Sequence, residues 1–230
     1  MKNNNLLLSL CFLAFTSSTK AQLSIGLETG YNKNYLNTNE SRPYTAYRLV
    51  EGFNIGVPVK YDINKWFAIQ ADPQFIRKGY NLTRTGSLDG FYDKVTSNYI
   101  QLPIMGNFSF GGEKLKGFLN MGGYAGYWMS ARKKGFLYNF FPDPQYPTLY
   151  PGLPYNEKYE FDNKRDRRIE LGLMAGAGIS YQVSPIYQLF AETRLYQGLT
   201  DLQKSYMINQ IPRYNQTYVV QIGCMYSFGK

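Results

Sequence analysis

The chain has 230 residues, with 25 Lys and Arg against 16 Asp and Glu, no histidine and two cysteines. Without histidine there is no His-dependent triad, no His general base and no His metal ligand. Tyr (22), Phe (15) and Gly (22) are abundant, which suits strands, girdles and tight packing better than a soluble enzyme of this size.

The first residues read as an export signal. Lys2 is a short basic region, 6–15 is an apolar run, and Thr19-Lys20-Ala21 is a small-x-small cleavage pattern, too short a plan for a spanning helix. Cys11 lies within the apolar run, so it leaves with the signal. Cleavage after Ala21 makes 22–230 the mature domain, 209 residues (230 − 21), with net charge +7 (9 − 2, for Lys2 and Lys20). Cys224 is then the one remaining thiol, and no intramolecular disulfide forms. Export argues against nucleic acid as the partner of the basic charge.

After Ala21 no run of 18 apolar residues occurs, so a spanning helix is not expected. A closed barrel needs only alternation, and alternation recurs eight times. In chain order the segments are 23–31, 52–62, 66–75, 99–110, 117–129, 169–181, 187–196 and 218–228. In 23–31, for example, Leu23, Ile25, Leu27 and Tyr31 share one face, while Ser24, Gly26, Glu28 and Gly30 share the other. Pro58, Pro73 and Pro103 fall inside these segments and require bulges or bends.

The connections alternate in length. Long ones are expected at about 33–47, 78–95, 132–167 and 199–215; short ones at 63–65, 111–114 and 183–185. Short periplasmic turns opposite long extracellular loops are the plan of an outer-membrane barrel. Aromatics cluster near segment ends: Trp66, Phe67, Phe108, Phe110, Tyr187 and Tyr226 on the short-turn side, and Tyr31, Tyr35, Tyr80, Tyr127 and Trp128 on the long-loop side. The expectation is an all-β, single antiparallel eight-stranded up-and-down transmembrane barrel.

An eight-stranded interior is just wide enough for side chains to fill. Its polar set includes Glu28, Lys60, Asp62, Asp72, Glu170, Glu192 and Arg194. Charges sealed in such a space must be paired, and Arg194 is expected among Glu192, Glu170 and Glu28. Glu28, Asp72, Glu170, Glu192 and Arg194 thus form a candidate lumen network, either a solid polar core or a narrow conduit. Nothing places a substrate beside these carboxylates, so no catalytic, cofactor or metal site is assigned. The third long connection carries Phe136, Tyr138, Phe140, Phe141, Tyr146, Tyr150 and Tyr155 among prolines, a candidate extracellular interaction loop. Lys164, Arg165, Arg167 and Arg168 follow as a candidate rim cluster for lipid phosphates.

Tyr99-Ile100-Gln101-Leu102-Pro103 resembles the Y-[LI]-[EQ]-[IL]-P strand of the PorT-like outer-membrane β-barrel family. So do Gly172 to Ser180 with its alternating glycines, Arg194-Leu195-Tyr196-Gln197-Gly198-Leu199-Thr200-Asp201, and the final strand from Gln221 to Phe228. The resemblance implies an integral outer-membrane barrel without established catalytic residues. The family's founding member is associated with protein secretion, and no residue here carries that role over.

The expected function is therefore non-enzymatic, in envelope structure, surface interaction, or secretion and assembly. The expected partners are outer-membrane lipid and lipopolysaccharide, with envelope or secretion proteins, around a monomer. The alternatives are a small-molecule carrier or narrow pore, and a soluble periplasmic lipocalin-like barrel whose apolar face points inward.

Overall fold

The computed structural model describes residues 22–38, 44–138, 152–205, 207–208 and 210–228. Twelve strand segments among these residues join into one antiparallel sheet that closes on itself. They are β1 (Gln22–Thr38), β2 (Thr45–Arg48), β3 (Val50–Gly56), β4 (Val59–Asp62), β5 (Phe67–Ala71), β6 (Gln74–Arg84), β7 (Tyr92–Gly111), β8 (Leu115–Tyr138), β9 (Gly152–Lys158), β10 (Ile169–Gln182), β11 (Tyr187–Gly198) and β12 (Arg213–Ser227). Closure comes from β1 against β12, with Leu27 opposite Cys224 and Tyr31 opposite Val220.

Twelve segments make eight staves, because β2–β4, β5–β6 and β9–β10 are each one stave interrupted. Two interruptions are proline breaks. Pro58 parts β3 from β4 and Pro73 parts β5 from β6, side by side, and the Val57 amide donates to the Pro73 carbonyl at 3.0 Å. A residue without an N–H cannot hold a ladder rung, so the two breaks are placed together. Pro103 stays within β7.

The alternation resolves which face points out. Leu27 is 67% exposed, Leu173 57% and Ile222 62%, whereas Glu28, Gln101, Asn120 and Gln221 are fully buried. The apolar face is outside and the polar face inside. That is the arrangement for lipid, and it overturns the lipocalin alternative, which requires the reverse. From Phe110 to Ile100 the outward row of β7 spans roughly 25 Å, taking about 3.3 Å per residue and a tilt of about 40°. Phe67 and Phe108 pack at 5.1 Å and Tyr187 and Tyr226 at 5.5 Å at the short-turn edge of the band; Phe53 and Phe75 pack at 5.7 Å at the other.

Three expectations about the long-loop side change. The second long connection is only 85–91, because β6 runs to Arg84 and β7 begins at Tyr92. The first is likewise shortened by β1 and β2, and the third by β8 and β9, which pair from Arg132–Lys158 to Tyr138–Gly152. Polar residues there continue the ladder above the apolar band, so hydropathy alone ended the strands too early. Trp128 and Tyr80 also leave the expected belt. Trp128 is buried and stacks on Tyr99 at 5.9 Å, and Tyr80 packs against the same inner cluster. Just beyond Trp128 the register slips by one residue at Met129, so the inward row resumes at Ala131.

Candidate functional site

The lumen is filled in layers. At the short-turn end lies a vestibule of about 480 Å³ whose walls include Ser24, Lys60, Asp62, Lys116, Gln188 and Ser227. Lys60 and Asp62 sit there, 3.6 Å apart. Phe118, Phe190 and Met225 close the vestibule from above, leaving a space of about 20 Å³ at that level.

Above this plug sits Arg194, fully buried. Its guanidinium contacts Asp72 at 2.7 Å, Glu192 at 2.7 Å and Glu28 at 3.5 Å. Amides complete the shell. Asn120 donates to Glu192 at 2.7 Å, Gln221 to Glu28 at 2.9 Å, Gln70 to Asp72 at 3.0 Å, and Asn54 to both Gln74 and Gln221 at 3.1 and 3.0 Å. One cation and three carboxyl groups are thus held together among neutral amide donors.

Glu170 does not join this network, contrary to the sequence expectation. It lies higher, where Lys78 donates to it at 2.8 Å, Tyr124 at 2.6 Å and Asn215 at 2.6 Å. The Lys78 ammonium rests over the rings of Tyr99 and Tyr124 at 4.9 and 5.0 Å. Glu170 is on β10 and Arg194 on β11, and their registers place them on different rungs: Glu170 opposes Gly126, whereas Arg194 opposes Gly176. Lys78 was missed from sequence because 78–95 reads as a loop. Seeing that its neighbours Ile76 and Tyr80 alternate with Arg77 and Gly79 is the signal that extends β6 through it.

The extracellular mouth is covered by the segment after β9. Tyr159 packs on Trp128 at 5.3 Å and Phe161 meets the same indole edge-on at 5.0 Å. Asp166 ties this cap together. It accepts from the Tyr159 hydroxyl at 2.8 Å, the Arg165 guanidinium at 2.8 Å and the Asp162 amide at 2.9 Å. Burial works against the Asp166 charge, but the hydrogen bonds from Arg165, the Asp162 amide and Tyr159 outweigh it and hold the carboxyl below its usual range. Burial, then the bond to Asp166, pushes the Tyr159 phenol up. Backbone bonds from Arg167 to Leu202 and from Lys204 to Arg165, 2.9 and 2.7 Å, fasten the cap to the last long connection.

The expected rim cluster is thus divided. Lys164 and Arg167 are exposed, Arg165 is locked to Asp166, and Arg168 donates to the Trp128 and Met129 carbonyls while lying over Tyr127 and Phe161 at 4.6 and 4.3 Å. Of the expected interaction loop, Phe140, Phe141, Tyr146 and Tyr150 lie outside the described residues, and Tyr138 ends β8. Phe136 stacks on Phe91 at 5.4 Å, and Tyr155 donates to Asp93 at 2.7 Å. Both belong to a hairpin and not to an open loop. The expected signal, 1–21, also lies outside the described residues.

The comparisons agree with this architecture. OprG of Pseudomonas aeruginosa, an outer membrane protein, superimposes with TM-score 0.53 at 9% identity, covering 91% of this chain and 97% of that one. The outer membrane protease OmpT of Escherichia coli superimposes with TM-score 0.51 at 10% identity, covering 92% and 98%. Neisserial surface protein A aligns at 15% identity over 89% and 97%, with TM-score 0.43. For OprG and OmpT, at these identities, the likeness is one of fold alone. No curated protein matches the chain. The sequence itself matches the outer membrane protein beta-barrel domain over residues 15–204. A closed antiparallel barrel with its apolar face outward, matched along most of its length by that domain, belongs to the outer membrane protein beta-barrel domain family and resides in the bacterial outer membrane.

Proposed function

We propose that this barrel is a non-enzymatic, non-conducting platform that acts through its extracellular extension. The observation that carries the reading is the continuous filling of the lumen, from the Phe118–Phe190–Met225 plug through the Arg194 layer to the Tyr159–Phe161 cap. A conduit needs a path that ions can enter and leave, and here side chains fill the levels above the vestibule. The binding surface is then the outside of the strands that rise above the membrane, β6 to β9, with the Phe91–Phe136 pair at their tip. Within the family we group the chain with PorT-like members on its Tyr99-Ile100-Gln101-Leu102-Pro103 strand, leaving a secretion role to experiment.

Two measurements test this. Planar-bilayer recordings of the refolded protein are expected to show no single-channel steps, and steady conductance overturns the filled-lumen reading in favour of a pore. Native outer membranes cross-linked from the cell surface are expected to yield a partner product that is lost when residues 136–155 are deleted. Retention of the product in a heat-modifiable deletion variant overturns the tip as the interface.

A further inference from the structure

The outward rows of the extracellular extension change character just above the lipid band. On β7 the row Ile104, Leu102, Ile100 continues as Asn98, Thr96, Lys94; on β8 it passes from Tyr127 to Ser130, Arg132 and Lys134. On β9 it takes in Asn156 and Lys158. Arg77 of β6 stands where the band ends, over the Phe53 ring at 5.0 Å, and Arg48 of β2 faces the same way, donating to Thr83 at 3.3 Å. Neutral groups fill the space between. Arg77 donates to Asn98 at 3.3 Å, Asn98 to Ser130 at 3.1 Å, and Arg132 to Asn156 at 3.4 Å.

The register sets like charges against each other. Lys94 is directly opposite Lys134, and Arg132 directly opposite Lys158. Such cross-strand pairs are destabilising unless something outside the sheet balances them. The nearby carboxylates do not. Asp93 turns to the inner face and accepts from Tyr155, Glu157 opposes Lys133 on the inner row, Glu51 opposes Lys33 on β1, and Glu160, exposed just beyond β9, makes no ion pair among the described residues. Among the described residues no ion pair engages Lys94, Arg132, Lys134 or Lys158.

We infer that this sideways-facing cationic sheet, Arg48, Arg77, Lys94, Arg132, Lys134 and Lys158, is a docking face for the phosphorylated glycolipid of the outer leaflet. The reason is position as much as charge. These residues continue the lipid-facing rows, so they look along the membrane plane and not up into the medium. Two residues of tilted strand rise roughly 5 Å, so the cations run from Arg77 at the apolar edge to Lys94 and Lys134 roughly 15 Å above it, from the head-group layer upward. The face deepens the platform reading by naming one partner, and rests on that reading only for the identity of the extracellular side.

The test uses the refolded full-length barrel in detergent with EDTA, so that metal bridging is absent. The probes are diphosphoryl lipid A, the same lipid with both phosphates removed, and a soluble heparin fragment. Each basic residue near an anionic surface strengthens association about fivefold. Diphosphoryl lipid A is therefore expected to bind, and a Lys94→Gln, Arg132→Gln, Lys134→Gln, Lys158→Gln variant to bind at least about tenfold more weakly, while Lys164→Gln with Arg167→Gln on the cap binds unchanged. Heat-modifiability confirms folding of each variant. On the unmodified protein, bound lipid A is expected to protect Lys94, Lys134 and Lys158, and not Lys164, from an amine-reactive label. Equal binding of the dephosphorylated lipid, unprotected lysines, or binding of the heparin fragment alone overturns the assignment. None of these outcomes bears on conductance or on the tip interface.

Discussion

Arg194 reaches Asp72 across the full width of the barrel, with its Nη1 2.7 Å from Oδ2. Arg194 is on β11 and Asp72 in the break between β5 and β6, four staves away in either direction around the ring. The ion pair therefore braces opposite walls. Removing the cation leaves the buried Asp72, Glu192 and Glu28 uncompensated. Arg194→Met is expected to destabilise the barrel by about 3–5 kcal/mol, measured as the urea unfolding midpoint in lipid vesicles. Adding Asp72→Asn, Glu192→Gln and Glu28→Gln is expected to restore most of the loss. If the added changes restore nothing, the arginine acts by packing and not by charge.

Gly122 packs where two methionines converge, opposite Met105 on β7 and Met174 on β10. A Cβ there would run into the Ile104 carbonyl oxygen and the Met105 Cα, backbone atoms of the neighbouring strand that cannot swing aside. Gly122→Ala is expected to cost about 1–3 kcal/mol by the same unfolding assay. A midpoint equal to the parent's would show that β7 and β8 separate easily at that rung.

The cap carries a defined pH signature. The Asp166 carboxyl is lower in the folded protein than its ordinary value of 3.8, so its contribution is fully present above that value and is lost as pH falls through the folded one. The Tyr159 phenol is raised above 10.0, so its contribution is present below that and is lost as pH rises through the folded value. Amide exchange of 159–168 is expected to stay slow from about pH 4 to pH 10, after correction for intrinsic rates. Asp166→Asn is expected to speed it at neutral pH while leaving β10–β12 protected. Unchanged exchange in that variant would mean that Asp166 does not hold the cap.

The two tryptophans sit in opposite environments, Trp66 exposed at the short-turn edge of the apolar band and Trp128 enclosed by Tyr99, Tyr159 and Phe161. In vesicles, Trp128→Phe is expected to retain emission that brominated acyl chains quench. Trp66→Phe is expected to retain emission that neither brominated lipid nor aqueous iodide quenches appreciably. Strong lipid quenching of Trp128 would place it outside the barrel.

The alternation of Leu23, Ile25 and Leu27 with Ser24, Gly26 and Glu28, repeated eight times, carried the barrel, because a strand's period of two is a local property. The short turns near 63–65, 111–114 and 183–185 were legible for the same reason: they interrupt the alternation on the spot. What lay beyond local reading was where a polar strand stops. Lys78, Lys94 and Arg132 look like loop residues until a partner strand supplies their hydrogen bonds, so β6 to β8 appeared too short and the cationic face stayed hidden. Pairing across the lumen was beyond it too. Alternation assigned Glu28, Asp72, Glu170, Glu192 and Arg194 to one face, but the stagger between staves decides which of them meet. Only the closed barrel puts Arg194 beside Asp72 and sends Glu170 to Lys78, because depth along the axis depends on the tilt and register of every strand in the ring.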